Sequence, residues 1–302
     1  MITIKDLVNA PEKFVSGHRS CAGCGFPMIA RTVLAAAKGP VVVCAATGCL
    51  EVTSTIYPFT SWNTPFIHSA FENSAATMTG VTRAYAAMKK SGKIREDVKF
   101  VVFAGDGGTY DIGLQALSGA LERKENFVYV CYDNGAYMNT GIQRSSATPK
   151  GAYTTTTPAG KIEWRKDLAK ICIAHGIDYV ATASPNNFAD LAMKAEKAFS
   201  AKGPSVLIVL SPCPLGWGSK TDQSIAIAKL AVETNFWPIY EYDKKKYTLN
   251  YESDERKPVE KFLETQGRFK HLFSPENKEL LKEIQEEIDS KYSELKKLCE
   301  KK

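Results

Sequence analysis

Four cysteines stand where their thiolates could share one metal centre. Cys21 and Cys24 form a CxxC pair in GHRSCAGCGFP, Cys49 follows in ATGCLEV, and Cys213 stands in SPCPLGWG. The CxxC spacing lets two thiolates grip one centre. Cys49 and Cys213 each come just after an apolar, strand-like run, 41–46 and 205–211. If both strand ends open onto one crevice, four thiolates can meet there. A Cys₄ set suits structural zinc or a [4Fe-4S] cluster. A zinc ribbon usually brings two CxxC knuckles, so one knuckle with two isolated cysteines leans toward the cluster and leaves zinc open. Cys44, Cys131 and Cys172 lie in apolar patterns and read as buried small hydrophobes, and Cys299 has no partner in its segment. Eight cysteines in 302 residues are too sparse for a disulfide scaffold.

A second cluster of chemistry lies in AGDGGTYDIG, 104–113, where an apolar strand runs into a helical pattern. Gly105, Gly107 and Gly108 permit close backbone approach and positive φ, and the helix just beyond offers amides to a phosphate. Asp106 among them is a hard oxygen ligand suited to Mg²⁺ beside substrate phosphates. At the end of the next strand comes DNGAYMNT, 133–140. Consecutive parallel strands end at one crevice, so Asn134 can give the same ion a second oxygen and a turn carbonyl a third. Alone, GDGG reads as a tight turn and DNG as a common one. Together, on successive strands, they resemble the GDG-to-Asn motif of thiamine-diphosphate enzymes. That resemblance implies Mg²⁺ on Asp106, the Asn134 side chain and the Ala136 carbonyl. It also implies diphosphate against Gly105, Gly107 and Gly108, with Asn139 beside the thiazolium. Many relatives carry an acidic residue where this chain has Gly135.

The remaining reactive side chains are less marked. Glu51, Glu72 and Glu122 are each as readily surface or capping residues. The four histidines, His18, His68, His175 and His271, lack the paired spacing of a metal site, and hydrogen-bonded structural roles are expected for His18 and His68. Arg144, in GIQRSS, could guide an acidic substrate or stand solvated.

These residues need a scaffold that brings strand ends together. Short β-branched runs at 41–46, 99–104, 127–133, 178–182 and 205–211 read as buried parallel strands. Helical periodicity fills 26–38, 70–90, 112–124, 163–175 and 186–201. The alternation predicts an α/β fold with a doubly wound parallel sheet, whose ligands bind beyond the strands' carboxyl ends. After residue 235 the sequence turns polar and irregular, dividing the chain into a cofactor-binding domain, 1–235, and a C-terminal extension, 236–302. The extension ends in a charged helix expected from Ser274, with Pro275 in its first turn and a stripe of Leu281, Ile284, Ile288, Tyr292 and Leu295 that must dock.

The composition, 44% hydrophobic and 24% charged, is that of a globular protein rather than a disordered one. The start has no signal-like segment and no stretch approaches the about 20 apolar residues of a membrane helix. A cytoplasmic protein without a membrane role is expected. The net charge of +6 is dispersed, which excludes a nucleic-acid face and suits an acidic protein partner or a phosphorylated ligand.

GHRSCAGCG, TGCLEV, AFENSAA, GDGGTYDIGLQALSGALER, CYDNGAYMNTGIQRSSATPKGAYTTTTPAG and SPCPLGWG, with WPIYEYD and KPVEKFLETQGRFKHLF in the extension, resemble the β subunits of pyruvate:ferredoxin oxidoreductases almost end to end. The resemblance implies that Cys21, Cys24, Cys49 and Cys213 ligate a [4Fe-4S] cluster, with Cys49 and Phe26 also near thiamine diphosphate. It implies oxidative decarboxylation of pyruvate to acetyl-CoA and CO₂, with electrons passing to ferredoxin. The alternatives are the same chemistry on a branched-chain oxoacid, 2-oxoglutarate or oxalate, or a non-redox thiamine lyase with structural zinc. Partners implied are an α and further subunits, one of which supplies the glutamate that activates the cofactor, together with ferredoxin, coenzyme A and the 2-oxoacid.

Overall fold

In the computed structural model, which describes residues 2–253 and 256–300, eight strands share one sheet. In chain order they are β1 (Val41–Ala46), β2 (Phe66–Ser69), β3 (Lys99–Gly105), β4 (Val128–Asp133), β5 (Tyr179–Ala183), β6 (Ser205–Leu210), β7 (Tyr240–Asp243) and β8 (Lys246–Leu249). Their spatial order is β2-β1-β3-β4-β6-β5-β7-β8, parallel except at β7 and β8. Every residue of β4, β5 and β6 is buried. Continuous apolar runs such as VYVC and SVLIVL follow from that burial on both faces.

The pleat divides each run between two helical layers. Val43, Ala45, Val101, Phe103, Val128 and Val130 share a core with the helices Phe26–Ala36 and Phe188–Ser200. Cys44, Ala46, Val102, Ala104, Tyr129 and Cys131 face the opposite layer, with the helices Ser74–Lys90, Leu114–Glu122 and Leu168–Ala174. Helices on both faces of a mostly parallel sheet make the expected doubly wound fold.

The polar segment after residue 235, read from sequence as irregular up to the final helix, instead adds strands. β7 pairs antiparallel with β5, and β8 returns beside it through Lys244 and Lys245, both at positive φ (47° and 74°). The last helix spans Lys278–Glu300, after a 3₁₀ turn at Pro275–Asn277. Its start is therefore four residues later than Ser274. Leu281, Ile284 and Leu295 of the stripe are buried, and the helix docks on β8 and on the 3₁₀ segment Gly267–Phe273 of its own chain. Among the described residues no helix is long and apolar enough to cross a membrane.

The sheet sets the site. Register pairs Gly105 with Tyr132 and Asp133 with Leu210, and the Ser211 amide donates to the Asp133 carbonyl at 2.7 Å. The segments bearing Cys49, Asp106, Asn134 and Cys213 thus leave four adjacent strands at one edge.

Candidate active site

Beyond these strand ends lies a cleft lined by Thr47, Gly48, Cys49, Gly105 to Gly108, Asn134 and Ala136 to Asn139. Asp106 is its only carboxylate among the described residues. Asp106 is 1% exposed. Burial first, then the neighbouring Asp133, pushes its carboxyl well above the usual range, against a 2.5 Å hydrogen bond that Ser145 donates to Oδ2. A buried carboxylate so placed gains most from a cation. Asp133 is itself neutralised by Arg165 at 2.5 Å and accepts from Tyr110 Oη at 2.7 Å.

The donor set for that cation is present. Asn134 Oδ1 lies 2.9 Å from the Ala136 carbonyl oxygen and 3.0 Å from Asp106 Oδ1, while the backbone amides of Ala136 and Asn134 donate at 3.4 Å to Asn134 Oδ1 and Asp106 Oδ1. Oxygens around an octahedral Mg²⁺ at 2.0–2.1 Å are about 2.9 Å from their neighbours. Turned over, the Asn134 amide would donate to both oxygens, so its oxygen face suits an ion and its nitrogen face would close the cradle by hydrogen bonds. The residues fit a magnesium site.

The glycines have reasons of their own. Gly105, Gly107 and Gly108 are not at positive φ, contrary to expectation; Gly135 is, at 78°. A Cβ on Gly107 would meet the Tyr137 ring at 2.3 Å, and one on Gly108 the Phe71 carbonyl at 3.1 Å. Tyr137 Oη donates to the Gly107 carbonyl at 2.9 Å and so lies over the strand-to-helix turn, which is wound as a π-helix at Gly107–Asp111. Gly107→Ala is therefore expected to displace Tyr137 and lower diphosphate affinity by about tenfold or more. Adding Tyr137→Ala should restore part of the loss in calorimetric titration, since clash relief is non-additive.

The four thiols form the other half. The CxxC turn closes through the Cys24 amide on the Cys21 carbonyl (3.1 Å), and the Gly25 amide on the Pro212 carbonyl (3.0 Å) fastens it beside Cys213. A Cβ on Gly25 would strike the Pro212 ring at 2.7 Å. Burial pushes Cys24 up to about 12, and the fields of Cys213, Cys49 and Cys21 add to it. Cys49 is pushed up to about 11 by burial, against a hydrogen bond with Asn139, with Cys213, Cys21 and Asp106 all acting on it. The Gly216 amide donates to Cys213 Sγ at 3.4 Å, and the Phe26 amide is directed at Cys24. The fields of these thiols act on one another and two of them, Cys24 and Cys213, accept N–H···S bonds, a donor set whose chemistry suits a [4Fe-4S] cluster. Among the described residues no three His, Cys, Asp or Glu side chains group as ligands of a single ion.

Asn139 and Cys49 join the two halves. The other candidates fall outside. Phe26 is buried with its ring 6.0 Å from Tyr132, not on the cleft wall. Glu51 accepts from Thr55 Oγ1 at 2.6 Å and lies 3.4 Å from His68. Arg144 pairs with Glu163 at 3.5 Å. His18 and His68 hydrogen-bond Ser20 and Thr47, as expected of structural histidines. Cys44, Cys131 and Cys172 are fully buried.

Sequence reasoning missed Tyr132, Ser145, Trp217 and Arg268. Tyr132 lines the cleft with its hydroxyl buried. The Leu50 amide is directed at that hydroxyl. Trp217 donates to the Asn134 carbonyl at 2.7 Å. The tryptophan of SPCPLGWG, four residues after Cys213, was the only signal for it.

The family model described as thiamine pyrophosphate enzyme, C-terminal TPP binding domain, matches residues 46–209. Pyruvate synthase subunit PorB of Thermotoga maritima is 48% identical over 97% of this chain and 95% of its own. Ketoisovalerate oxidoreductase subunit VorB of Pyrococcus furiosus is 42% identical over 98% and 97%. Among solved structures, a 2-oxoglutarate:ferredoxin oxidoreductase from Magnetococcus marinus superposes with a TM-score of 0.57 and 23% identity, covering 73% of this chain and 80% of that one. It shares the fold.

Proposed function

The chain belongs to the family of thiamine-pyrophosphate-dependent 2-oxoacid:ferredoxin oxidoreductase subunits, and from that premise we propose that it serves oxidative decarboxylation of pyruvate to acetyl-CoA and CO₂ in the cytoplasm. The observation that carries this reading is the convergence of the Asp106 carboxyl, the Asn134 side-chain amide and the Ala136 carbonyl, 2.9 and 3.0 Å from one another through Asn134, at the strand ends that also bear Cys49 and Cys213. Bound here, thiamine diphosphate would supply the electron sink for decarboxylation and a [4Fe-4S] cluster the one-electron acceptor.

The chain's own residues divide the work. Asp106, the Asn134 side chain and the Ala136 carbonyl hold Mg²⁺, and Ser145 fixes the free Asp106 oxygen. Gly105, Gly107 and Gly108 let the diphosphate approach the backbone. Cys21, Cys24, Cys49 and Cys213 hold the cluster. Asn139, exposed on the cleft and hydrogen-bonded to Cys49, orients the reacting end of the substrate and is the chain's catalytic residue. With Asp106 committed to the ion, the described cleft offers no second carboxylate. The carboxylate that activates the cofactor's aminopyrimidine comes from a partner subunit, as the family resemblance implies, and the chain works within a hetero-oligomer that hands electrons to ferredoxin. Residues 1–235 act as the cofactor-binding domain and 236–302 as its extension.

The VorB relative supports a second reading, a branched-chain 2-oxoacid as substrate. A panel of 2-oxoacids, assayed with coenzyme A and ferredoxin on the native complex, separates the two. Pyruvate is expected to give the highest kcat/KM. Preference for a branched-chain acid would move the assignment to the second reading, and absence of coenzyme-A-dependent ferredoxin reduction would reject both.

A further inference from the structure

Among the described residues two buried cations have no carboxylate partner: Lys161, which donates to the Thr148 carbonyl at 2.7 Å and the Ser146 carbonyl at 3.3 Å, and Arg268. Arg268 is 6% exposed, yet no Asp or Glu of the described residues lies within ion-pair distance of it, whereas buried Arg165 sits 2.5 Å from Asp133. Its Nε donates to Gln266 Oε1 at 2.9 Å, and Nη1 reaches the Asn134 carbonyl at 3.4 Å. The guanidinium stacks on Trp217 at 4.4 Å from the ring centre. None of these neighbours is charged. An uncompensated buried cation costs several kcal/mol unless negative charge arrives nearby.

Burial pushes the Cys213 thiol up, and the Arg268 charge opposes that shift; Asp133 and Asp106 act on Arg268 less strongly. Asp133 is already paired with Arg165, and Asp106 faces the metal cradle. That leaves Cys213, which carries a charge only as a cluster ligand, as the group Arg268 can compensate. The structure holds the two in register. Trp217, beneath the guanidinium, belongs to the short helix Pro214–Trp217 that Cys213 caps. The Gly267 amide donates to the Gly218 carbonyl at 3.2 Å, tying the Arg268 segment to that same turn. Gly135 completes the seat, since a Cβ there would press on Nη1 at 3.0 Å and its φ of 78° disfavours one.

We propose that Arg268, contributed by the C-terminal extension, is the built-in countercharge of the four-thiol site and raises the potential at which a cluster bound there accepts an electron. This deepens the reading of Cys21, Cys24, Cys49 and Cys213 as cluster ligands and rests on it. A thiolate-ligated cluster becomes more negative on reduction, so a fixed positive charge nearby favours the reduced form. Unit charges about 10 Å apart at an effective dielectric constant of 20 change such an equilibrium by about tenfold.

The test is spectroelectrochemical titration of the cluster in the anaerobic native complex, comparing the parent with Arg268→Gln and Arg268→Lys. Gln keeps hydrogen bonding and loses the charge; Lys keeps the charge. Arg268→Gln is expected to lower the reduction equilibrium about tenfold, a shift of about 59 mV to more negative potential for a one-electron couple. Arg268→Lys should stay near the parent. Loss of the cluster in Gln but not in Lys would likewise support a charge requirement. Equal potentials in all three, or equal loss of iron in both variants, would overturn the proposal and leave Arg268 a packing residue on Trp217. Should the parent itself hold no iron, the reading of the thiols fails first, and the two failures are thereby told apart.

Discussion

Asp106→Ala is expected to abolish Mg²⁺-dependent binding of thiamine diphosphate while leaving the iron content of the protein nearly unchanged. The diphosphate brings several negative charges into a cleft whose only carboxylate among the described residues is this one. Backbone amides cannot replace the divalent ion that neutralises those charges. Partners in a metal's outer shell already cost 10–100-fold when removed, so loss of the anionic ligand should cost at least about 100-fold in affinity. Asn134→Ala removes a neutral oxygen that water can partly replace, and should cost less. Asn139→Ala should lower kcat more than it weakens cofactor binding, because its side chain stands beside Cys49 rather than in the oxygen triad. Calorimetric affinity measured beside turnover of the reconstituted complex separates the three. Undiminished affinity in the Asp106 variant would end the assignment.

The second large effect is expected at the thiols. Anaerobically isolated protein should carry about four iron and four sulfide per chain, with broad visible absorption that bleaches on reduction. Replacing Cys21, Cys24, Cys49 or Cys213 by Ala should each strip most of that iron. Cys44→Ala should not, because Cys44 is fully buried in β1 with its thiol directed at the Ser74 carbonyl at 3.8 Å. It packs as a small hydrophobe. Iron analysis across the five variants decides the ligand set. Equal loss at Cys44 would overturn it, and stoichiometric zinc in place of iron would favour the lyase alternative.

Much of this was legible because chemistry and scaffold carry separate sequence signals. Runs such as VYVCYD and SVLIVL advertise doubly buried strands, and the residues just past each run must sit at the ligand edge of the sheet. That is how Asp106, Asn134, Cys49 and Cys213 could be brought together from spacing alone. The hairpin of β7 and β8 was not legible, for YEYDKKKYTL alternates only weakly. Its turn places two lysines at positive φ, where glycine or asparagine would have announced it. The short edge strand FIHS lacked the length to stand out.

Within the site, positive φ was assigned to the wrong glycines. Gly107 is needed for the closeness of Tyr137, a contact across 30 residues that no local pattern contains. Arg268 meets Asn134 across 134 residues and sits in GRFKHLF, a stretch indistinguishable from a basic surface turn. Tertiary packing alone made it a buried cation.

The measurement that reaches the central claim most directly is a single-turnover experiment on the anaerobic complex. Pyruvate is added without ferredoxin, and the visible absorption of the iron centre is tracked in the parent and in Asp106→Ala protein of equal iron content. If the oxygen triad and the four thiols form one redox site, the parent absorption bleaches on adding pyruvate and the variant's does not, although dithionite bleaches both. Bleaching by pyruvate to the same extent in the Asp106→Ala protein would contradict the account.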